Sequence, residues 1–434
     1  MAINPSHATV LSAVDVSTHT RRHIAVRLLP FLFILYIVNY LDRTNLAYAA
    51  IGMSRDLGFS DRVFGLGAGI FFISYLALQI PGALLVELWS ARRIISATMI
   101  AWGSLTVLTA LVHTPAKLYL ARFLLGAAEA GFFPGVIVYL SHWFIQEDRA
   151  KATSNFMSAI PVSFVLGSPF AGWILSHSWF SVQGWRWLFF LEGIPAILLG
   201  VAAFFFLKDW PHEASWLAPG GRQWIEQTLE QEASGAQAIS VWQVLKSRTT
   251  LLLASLTFLA YFTEYSFAFW FPTMLKRQSG LSDVHVGLLG ALPYLAAFVA
   301  MQINGWHSDK FRERRWHSAV PLLIAAAGLP GLISQAPSIA LSLVFFTMVS
   351  MVFAYLPTFW AIPTEILTRS GAATAVGLIN AVGSAAGFAG PYMFGYLNTR
   401  TGSFSTGLAL MMVTAIAAAL LILRIPKPAP AANN

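Results

Sequence analysis

Long apolar segments dominate this chain, and each is long enough to form a membrane-spanning helix. A helix needs about 20 apolar residues to cross a hydrocarbon core roughly 30 Å thick. Segments of that length recur from residue 24 to residue 424 and are separated by short polar turns. The pattern therefore predicts an all-α membrane protein with twelve transmembrane helices.

Turn residues and charges set the limits of the predicted elements. The twelve spans are 24–48, 63–86, 92–112, 117–143, 150–176, 186–207, 248–275, 284–307, 316–334, 338–362, 371–397 and 403–424. Residues 1–23 are predicted to be a cytoplasmic tail without a cleaved signal peptide, and 425–434 a C-terminal tail. A polar stretch at 208–246, rich in Pro, Gly and Glu, is predicted to be a cytoplasmic linker that divides six-helix bundles at 24–207 and 247–424.

The two predicted bundles carry corresponding residues at one constant offset. The pairs are Glu87 with Asp309, Arg92 with Arg314, Pro169 with Pro391 and Asp42 with Glu264. Several coincidences at one offset, at the same places within their spans, indicate duplication of a six-helix unit. Transporters built from such repeats bind their cargo near mid-membrane, between the repeats.

Composition supports a membrane protein and excludes several kinds of chemistry. The 434 residues are 57% hydrophobic and 11% charged, whereas soluble domains are about 25% charged. Cysteine is absent, which excludes disulfides, thiolate metal sites and cysteine nucleophiles. We see no metal cluster, nucleophile–base pair or phosphate-binding loop, so we predict no enzymatic activity and no cofactor.

The net charge of +8 is explained by membrane topology rather than by nucleic-acid binding. If both termini are cytoplasmic, most of the 27 Lys and Arg residues fall on the cytoplasmic side. Such a bias sets the orientation of membrane proteins. The expected partner of the surface is therefore a lipid bilayer, and no nucleic acid is expected.

Four ionisable residues lie well inside the first and fourth predicted spans, where a charge costs at least a few kcal/mol. Asp42 and Arg43 are in the first span, and Arg122 and Glu129 are in the fourth. Such residues persist where they face one another, water or a charged cargo. Arg122 and Glu129 are seven residues apart and so share one helix face, on which Gly126 is expected to leave room. The set favours a carrier of anions driven by protons.

A polar stripe marks one face of the first span. Tyr36, Asn39, Tyr40 and Arg43 follow the i, i+3, i+4, i+7 spacing of a helix face, which we expect to line a central cavity. A guanidinium stays charged and grips a carboxylate through two parallel hydrogen bonds. Arg43 and Arg122 are therefore the best candidates for anion contact.

Two segments resemble the cytoplasmic gating motif of the major facilitator superfamily. Residues 81–93 read PGALLVELWSARR, and residues 305–310 read GWHSDK, followed by two arginines. In that motif an acidic residue at a helix end pairs with loop arginines in one conformation. The first copy has Glu where Asp is commoner and lacks the next basic residue. The resemblance implies gating roles for Glu87, Arg92, Arg93, Asp309, Arg314 and Arg149.

A second set of motifs resembles the anion:cation symporter family of that superfamily. It comprises YLDRTN at 40–45, Arg122 with GAAEAGFFPG at 126–135, and DRAKA at 148–152. Bacterial members take up organic acids such as tartrate, sugar acids, phthalate and hydroxyphenylacetate. The resemblance implies that fold, with both termini cytoplasmic in the bacterial inner membrane. It further implies a monomer that imports a small organic carboxylate with protons by alternating access.

The resemblance also implies residue roles. Asp42 and Glu129 would carry the protons, and Arg43 and Arg122 would bind the anion. The expected neighbours of the cargo are Tyr40, Tyr75, Trp360 and Asn380, and the polar stripe adds Asn39. Ile160 stands where some sugar-acid carriers have a polar amide, which disfavours a sugar acid.

Each assignment has an alternative. Asp42–Arg43 and Arg122–Glu129 could be structural ion pairs that lock helices, and Glu264 could be either a third proton-coupling residue or a structural acid. At the level of function, the same arginines would serve an antiporter or a passive facilitator. A transporter-like sensor of an organic acid is a remote third reading.

Overall fold

A computed structural model describes residues 5–234, 246–334, 338–366 and 369–425 of this chain, and they are helical nearly throughout. Within those ranges the only β-type contact is an isolated bridge between Trp179 and Val182. The all-α prediction is confirmed. Residues 235–245 of the predicted linker lie outside the described residues.

The first bundle is built from eight helices. They are α1 (Pro5–Leu57), α2 (Asp61–Leu88), α3 (Ala91–Thr109), α4 (Pro115–Glu129), α5 (Phe132–Trp143), α6 (Gln146–Met157), α7 (Ala159–Leu175) and α8 (Gly184–Phe206). A short 3₁₀ helix at Pro211–Glu213 and the amphipathic helix α9 (Pro219–Ser234) follow.

The second bundle repeats this plan with long helices and one interrupted span. They are α10 (Arg248–Ser279), α11 (Asp283–Phe311), α12 (Arg315–Ile333), α13 (Ile339–Ser350), a 3₁₀ turn at Met351–Phe353, α14 (Leu356–Ile366), α15 (Arg369–Thr401) and α16 (Ser405–Leu423).

Three of the predicted spans are interrupted, and a proline accounts for each interruption. Proline lacks an N–H, and its ring clashes with the carbonyl group four residues earlier. Pro134, Pro161 and Pro357 each lie just after a break, at residues 130–131, 158 and 354–355. Each break therefore lies next to the carbonyl group four residues before the proline, which has no N–H donor in the helix.

Ten described helical segments are long and apolar enough to cross a membrane. The other two predicted spans correspond to α3 and α15. Helix α3 packs along α8, and α15 packs along α2 and α10. Both therefore pack as further helices of the two bundles.

The two bundles meet at the end that carries the loops at 58–60 and 280–282, which we call the closed end. Arg277 of α10 donates to both carboxylate oxygens of Asp61 in α2, at 2.6 and 2.5 Å. Asn398 of α15 also donates to Asp61. One acid of the first bundle thus holds two helices of the second.

Close helix crossings seal the same end. A Cβ atom at Gly172 in α7 would lie 2.8 Å from the Cα of Gly287 in α11. A Cβ at Gly65 in α2 would lie 2.6 Å from the Pro391 carbonyl oxygen in α15. Glycine at these positions allows the helix backbones to touch.

The opposite end, which carries the linker, is called the terminal end. The ion pairs that the first bundle makes at this end join its residues to one another or to the linker. Arg21 donates to both oxygens of Asp148 at 2.7 Å, and Arg149 lies 3.4 Å from Glu232. A Cβ at Gly377 in α15 would meet no atom within 4 Å. Among the described residues, no ion pair joins the two bundles at this end.

The contact between Asp61 and Arg277 should hold the closed end shut. We expect Arg277→Gln to raise several-fold the rate at which a membrane-impermeant thiol reagent labels Ala68→Cys. Ala68 is 2% exposed, and the chain has no native cysteine. Lys276→Gln is the matched control because its partner, Asp283, belongs to the same bundle. Equal labelling rates in both backgrounds would contradict the gate.

Candidate substrate and proton site

A buried ion pair joins α1 to α4 at the centre of the first bundle. Arg43 Nε donates to Glu129 Oε1 at 3.0 Å, and its Nη2 contacts the same oxygen. Arg43 is 6% exposed and Glu129 1%. The pairs considered from sequence, Asp42 with Arg43 and Arg122 with Glu129, are not the ones that form. The acid and base that pair come from different helices, so the contact fixes α1 against α4.

Aromatic rings surround the guanidinium of Arg43. Its central carbon lies 5.0 Å from the ring centres of Tyr40 and Tyr75, and 5.5 Å from that of Phe71. Arg122 lies 4.9 Å from the same Phe71 ring. Aromatic faces attract a cation most strongly where water is excluded. Phe71 is a site residue that sequence reasoning missed, because nothing in its position separates it from a packing phenylalanine.

Arg122 is fully buried and lies between two acids. Its Nε donates weakly to the Gly67 carbonyl oxygen at 3.4 Å. Its Nη1 and Nη2 atoms have no hydrogen-bond partner among the described residues. Asp42 and Glu129 are its acidic neighbours. The guanidinium therefore supplies charge to both acids without binding either one directly.

The face of α4 that carries Arg122 is not open at Gly126, contrary to the prediction. A Cβ at Gly126 would collide with the Phe71 carbonyl oxygen and would lie 2.5 Å from Ser74 Oγ. The glycine is needed there for the close approach of α2 to α4. That approach also brings Phe71 against the two arginines.

Asp42 points into the first bundle. Asn45 Nδ2 donates to Asp42 Oδ1 at 2.9 Å, and the hydroxyl of Thr106 in α3 lies beside the carboxyl. Asn39 is three residues before Asp42 and shares this face, because residues three apart are neighbours on a helix. Both side chains are 0% exposed. Asn39 is not among the residues that line the cavity beside Arg43, and its contact with the cargo stays a prediction, whereas Arg43 lies on the face turned toward the second bundle.

A small cavity between α1, α7 and α10 marks where Arg43 meets the second bundle. Its lining includes Tyr40, Arg43, Thr44, Phe164 and Tyr265. None of the three other charged residues of the cluster lines it. Arg43 is thus the charged group closest to the boundary between the bundles.

The second bundle contributes Glu264, Trp360 and Asn380, and none of them contacts the Arg43–Glu129 pair. Glu264 in α10 is 7% exposed, its Oε2 has no partner among the described residues, and tyrosines surround it. Trp360 in α14 and Asn380 in α15 are half-buried. Asn380 is three residues from Gly377 and therefore lies near it on the same face of α15.

The predicted gating arginines near α2 and α3 have local partners. The Arg92 amide donates to Asp209 Oδ1 at 2.8 Å, and its Nε lies 3.9 Å from Oδ2. Arg93 is exposed. The side chain of Glu87 lies outside the described residues. Sequence reasoning missed Asp209, because it lies more than a hundred residues away, at the end of α8.

The second gating copy and the α5–α6 turn are also joined locally. Asp309 pairs with Arg314 across the α11–α12 turn. Arg149 donates to the Phe144 carbonyl oxygen at 3.1 Å and pairs with Glu232 of α9. All these contacts lie at the terminal end and leave the two bundles unlinked there.

Comparison with known proteins establishes the family. A family model described as Major Facilitator Superfamily matches residues 32–391 and 253–434. The chain belongs to this superfamily. A "Putative tartrate transporter" of Agrobacterium vitis is 40% identical over 420 residues, which cover 96% of each chain. The "Putative metabolite transport protein NicT" of Pseudomonas putida is 34% identical over 434 residues, covering 96% of this chain and 97% of the relative.

Solved structures of the superfamily share the fold. A bacterial homologue of the human lysosomal transporter Spinster, in an inward-facing and occupied conformation, has a TM-score of 0.75 at 20% identity. The match covers 92% of this chain and 96% of that one. The xylose transporter XylE of E. coli, inward open, has a TM-score of 0.72 at 14% identity, covering 94% and 97%. The family match and the curated relatives thus identify the protein as a multi-pass membrane transporter of the major facilitator type and not an enzyme.

The Arg43–Glu129 interaction should appear as a coupling energy when the stabilities of the two single variants and the double variant are compared. Arg43→Gln leaves a buried carboxylate without its cation, a change that typically costs about 3–5 kcal/mol, so its melting temperature should fall most. Glu129→Gln added to Arg43→Gln should recover part of that loss. The cycle can be followed by tryptophan fluorescence of the purified protein during heating. Strictly additive effects of the two substitutions would contradict a direct interaction.

Proposed function

We propose that this transporter imports a small organic carboxylate together with protons by alternating access. The observation that carries the proposal is the buried cluster of Asp42, Arg43, Arg122 and Glu129. The relatives that are 40% identical and are named as tartrate transporters support a hydroxy-dicarboxylate such as tartrate as the cargo.

Charge balance in the cluster explains why proton and anion would bind together. With both carboxylates ionised, two positive and two negative groups cancel. A proton on Asp42 or Glu129 leaves one net positive charge, which is costly inside a membrane protein. A substrate carboxylate restores neutrality. Each ligand thus favours binding of the other, as symport requires.

Arg43 is the proposed substrate-binding group because it lies at the boundary between the bundles. Protonation of Glu129 weakens its hold on Arg43 and frees the guanidinium for a carboxylate of the cargo. Tyr40 and Tyr75 keep the guanidinium in place, and Arg122 contributes its charge from behind. Trp360 and Asn380 would contact the cargo from the second bundle, and Glu264 would be a further proton site.

The direction of transport follows from the proposed orientation. If the terminal end is cytoplasmic, as the excess of Lys and Arg there predicts, the closed end faces outward and this conformation is closed to the outside. The Arg43–Glu129 pair then belongs to the state after release. The lower proton concentration inside removes the proton from Glu129, which recaptures Arg43 and displaces the anion. Asp209, Asp309 and their arginines would exchange partners when the terminal end closes.

An antiporter is the second candidate. It is favoured by the "Quinolone resistance transporter" of Acinetobacter baumannii, which is 33% identical over 408 residues and covers 92% of this chain. In an antiporter the proton and the cargo would compete for the cluster rather than bind together. Movement of labelled tartrate toward the more acidic side of proteoliposomes would select this alternative.

Glu129→Gln should separate coupling from substrate movement. In proteoliposomes that are about one pH unit more acidic outside, one coupled proton supports roughly tenfold accumulation of labelled tartrate. The variant should lose that accumulation and retain equilibrative counterflow, because the amide cannot release a proton. Glu226→Gln, in the linker helix α9, is the control. Accumulation by Glu129→Gln at the wild-type level would remove this residue from proton coupling.

Arg43→Lys should weaken substrate binding although the charge is kept. Lysine lacks the planar fork that makes two parallel hydrogen bonds to a carboxylate, and one hydrogen bond to a charged group contributes about 1.5–3 kcal/mol. The half-saturation concentration for tartrate in counterflow should therefore rise by about tenfold or more. Arg93→Lys, at an exposed position, should leave it unchanged. An equal value for Arg43→Lys and wild type would argue against contact.

A further inference from the structure

Glu192 is a second buried acid of the first bundle, and the transport scheme above does not use it. It lies in α8 and is 5% exposed. Its Oε2 atom has no hydrogen-bond partner among the described residues. A carboxyl group buried in this way costs least when it holds a proton, unless a cation lies beside it.

No cation faces Glu192 from the helices packed on α8, which are α1, α3 and α7. Helix α7 contains no charged residue. The only charges of α3 are Arg92 and Arg93, at its terminal-end start. Helix α1 presents Asp42 and Tyr48 to Glu192. The charged group that Glu192 meets is therefore another acid.

Asn45 connects the two acids. Its amide nitrogen donates to Asp42, and its side chain also interacts with the Glu192 carboxyl. Two carboxyl groups that share one amide partner in a region of low dielectric constant cannot both be ionised at low cost. Arg122 lies on the Asp42 side of the pair. Among the described residues, Glu192 is thus the member of the pair that has no cation beside it.

A polar cluster of the first bundle lies between Glu192 and the closed end. Asp56 of α1 accepts hydrogen bonds from Gln183 and from the indole of Trp185, both at 3.2 Å. Arg186 lies 3.6 Å from Asp56. Arg186 precedes Glu192 by six residues, or about 9 Å along the helix. The ionisable groups of this cluster, like Glu192 and Asp42, therefore belong to the first bundle alone.

We propose that Glu192 is the entry relay for the transported proton, and that protons reach Asp42 through the first bundle rather than through the space that admits the anion. Glu192 passes its proton to the Asp42 carboxylate, so that one O–H bond breaks as the other forms. The Glu192 carboxylate then takes a replacement proton from the solution at the closed end. This inference rests on the proposed proton-coupled function.

Glu192→Gln tests the relay because it keeps size and polarity but cannot pass on a proton. We expect accumulation of labelled tartrate under an inward pH gradient to fall at least tenfold, with a flattened dependence on external pH. Counterflow at equal pH should stay within twofold of wild type. Glu192→Asp, which keeps a titratable group, should retain accumulation with a displaced pH profile. Glu226→Gln is the matched control.

The possible outcomes separate the two proposals. A wild-type protein that accumulates no tartrate under the pH gradient overturns the proposed function, and the relay with it. If the wild type accumulates tartrate and both Glu192 variants keep its pH profile, the relay alone is overturned and Glu192 is structural. Should Glu192→Gln not fold, Asn45→Leu removes the connection between the acids. It should show the same loss of accumulation, and a wild-type profile in Asn45→Leu overturns the relay.

Discussion

The whole arrangement depends on the cost of placing a charge in a medium of low dielectric constant. The buried guanidiniums of Arg43 and Arg122 and the carboxyl groups of Asp42 and Glu129 lie in the interior of the first bundle, and their charges balance when both acids are ionised. A change of charge on any one of them therefore needs a partner. A soluble enzyme can surround an unpaired charge with water, whereas the interior of this bundle offers mainly other side chains. Ion pairing, aromatic contacts and helix packing around Arg43 all stabilise the charges of this cluster.

Much of this could be predicted from sequence, since the membrane imposes strong patterns. Apolar length identifies the spans, and the rarity of charges within them singles out Asp42, Arg43, Arg122 and Glu129. What sequence could not supply is which charges pair. The sequence suggested the pairs Asp42 with Arg43 and Arg122 with Glu129, yet the pair that forms joins Arg43 of α1 to Glu129 of α4. Partners from distant helices, such as Thr106 and Asp209, have no local signal.

The helix interruptions could be predicted from the prolines in the sequence, but their effect on the site could not. A proline leaves the carbonyl group four residues earlier without an N–H donor, and three spans are interrupted next to such a carbonyl group. The break at 130–131 directly follows Glu129, so the paired acid occupies the last turn of its helix. Phe71 could not be identified from sequence for a different reason. Its role depends on where its ring lies, and the close approach of α2 to α4 at Gly126 determines that position.

The crossing of Gly172 and Gly287 has a mechanical consequence. Both residues at this crossing are glycines, so neither α7 nor α11 places a side chain between the two backbones. No side chain at the crossing therefore has to change rotamer when one helix turns over the other. The crossing can therefore serve as a pivot between the two bundles. Because the helices are long, a few degrees of tilt at such a pivot would move their terminal ends by several ångströms.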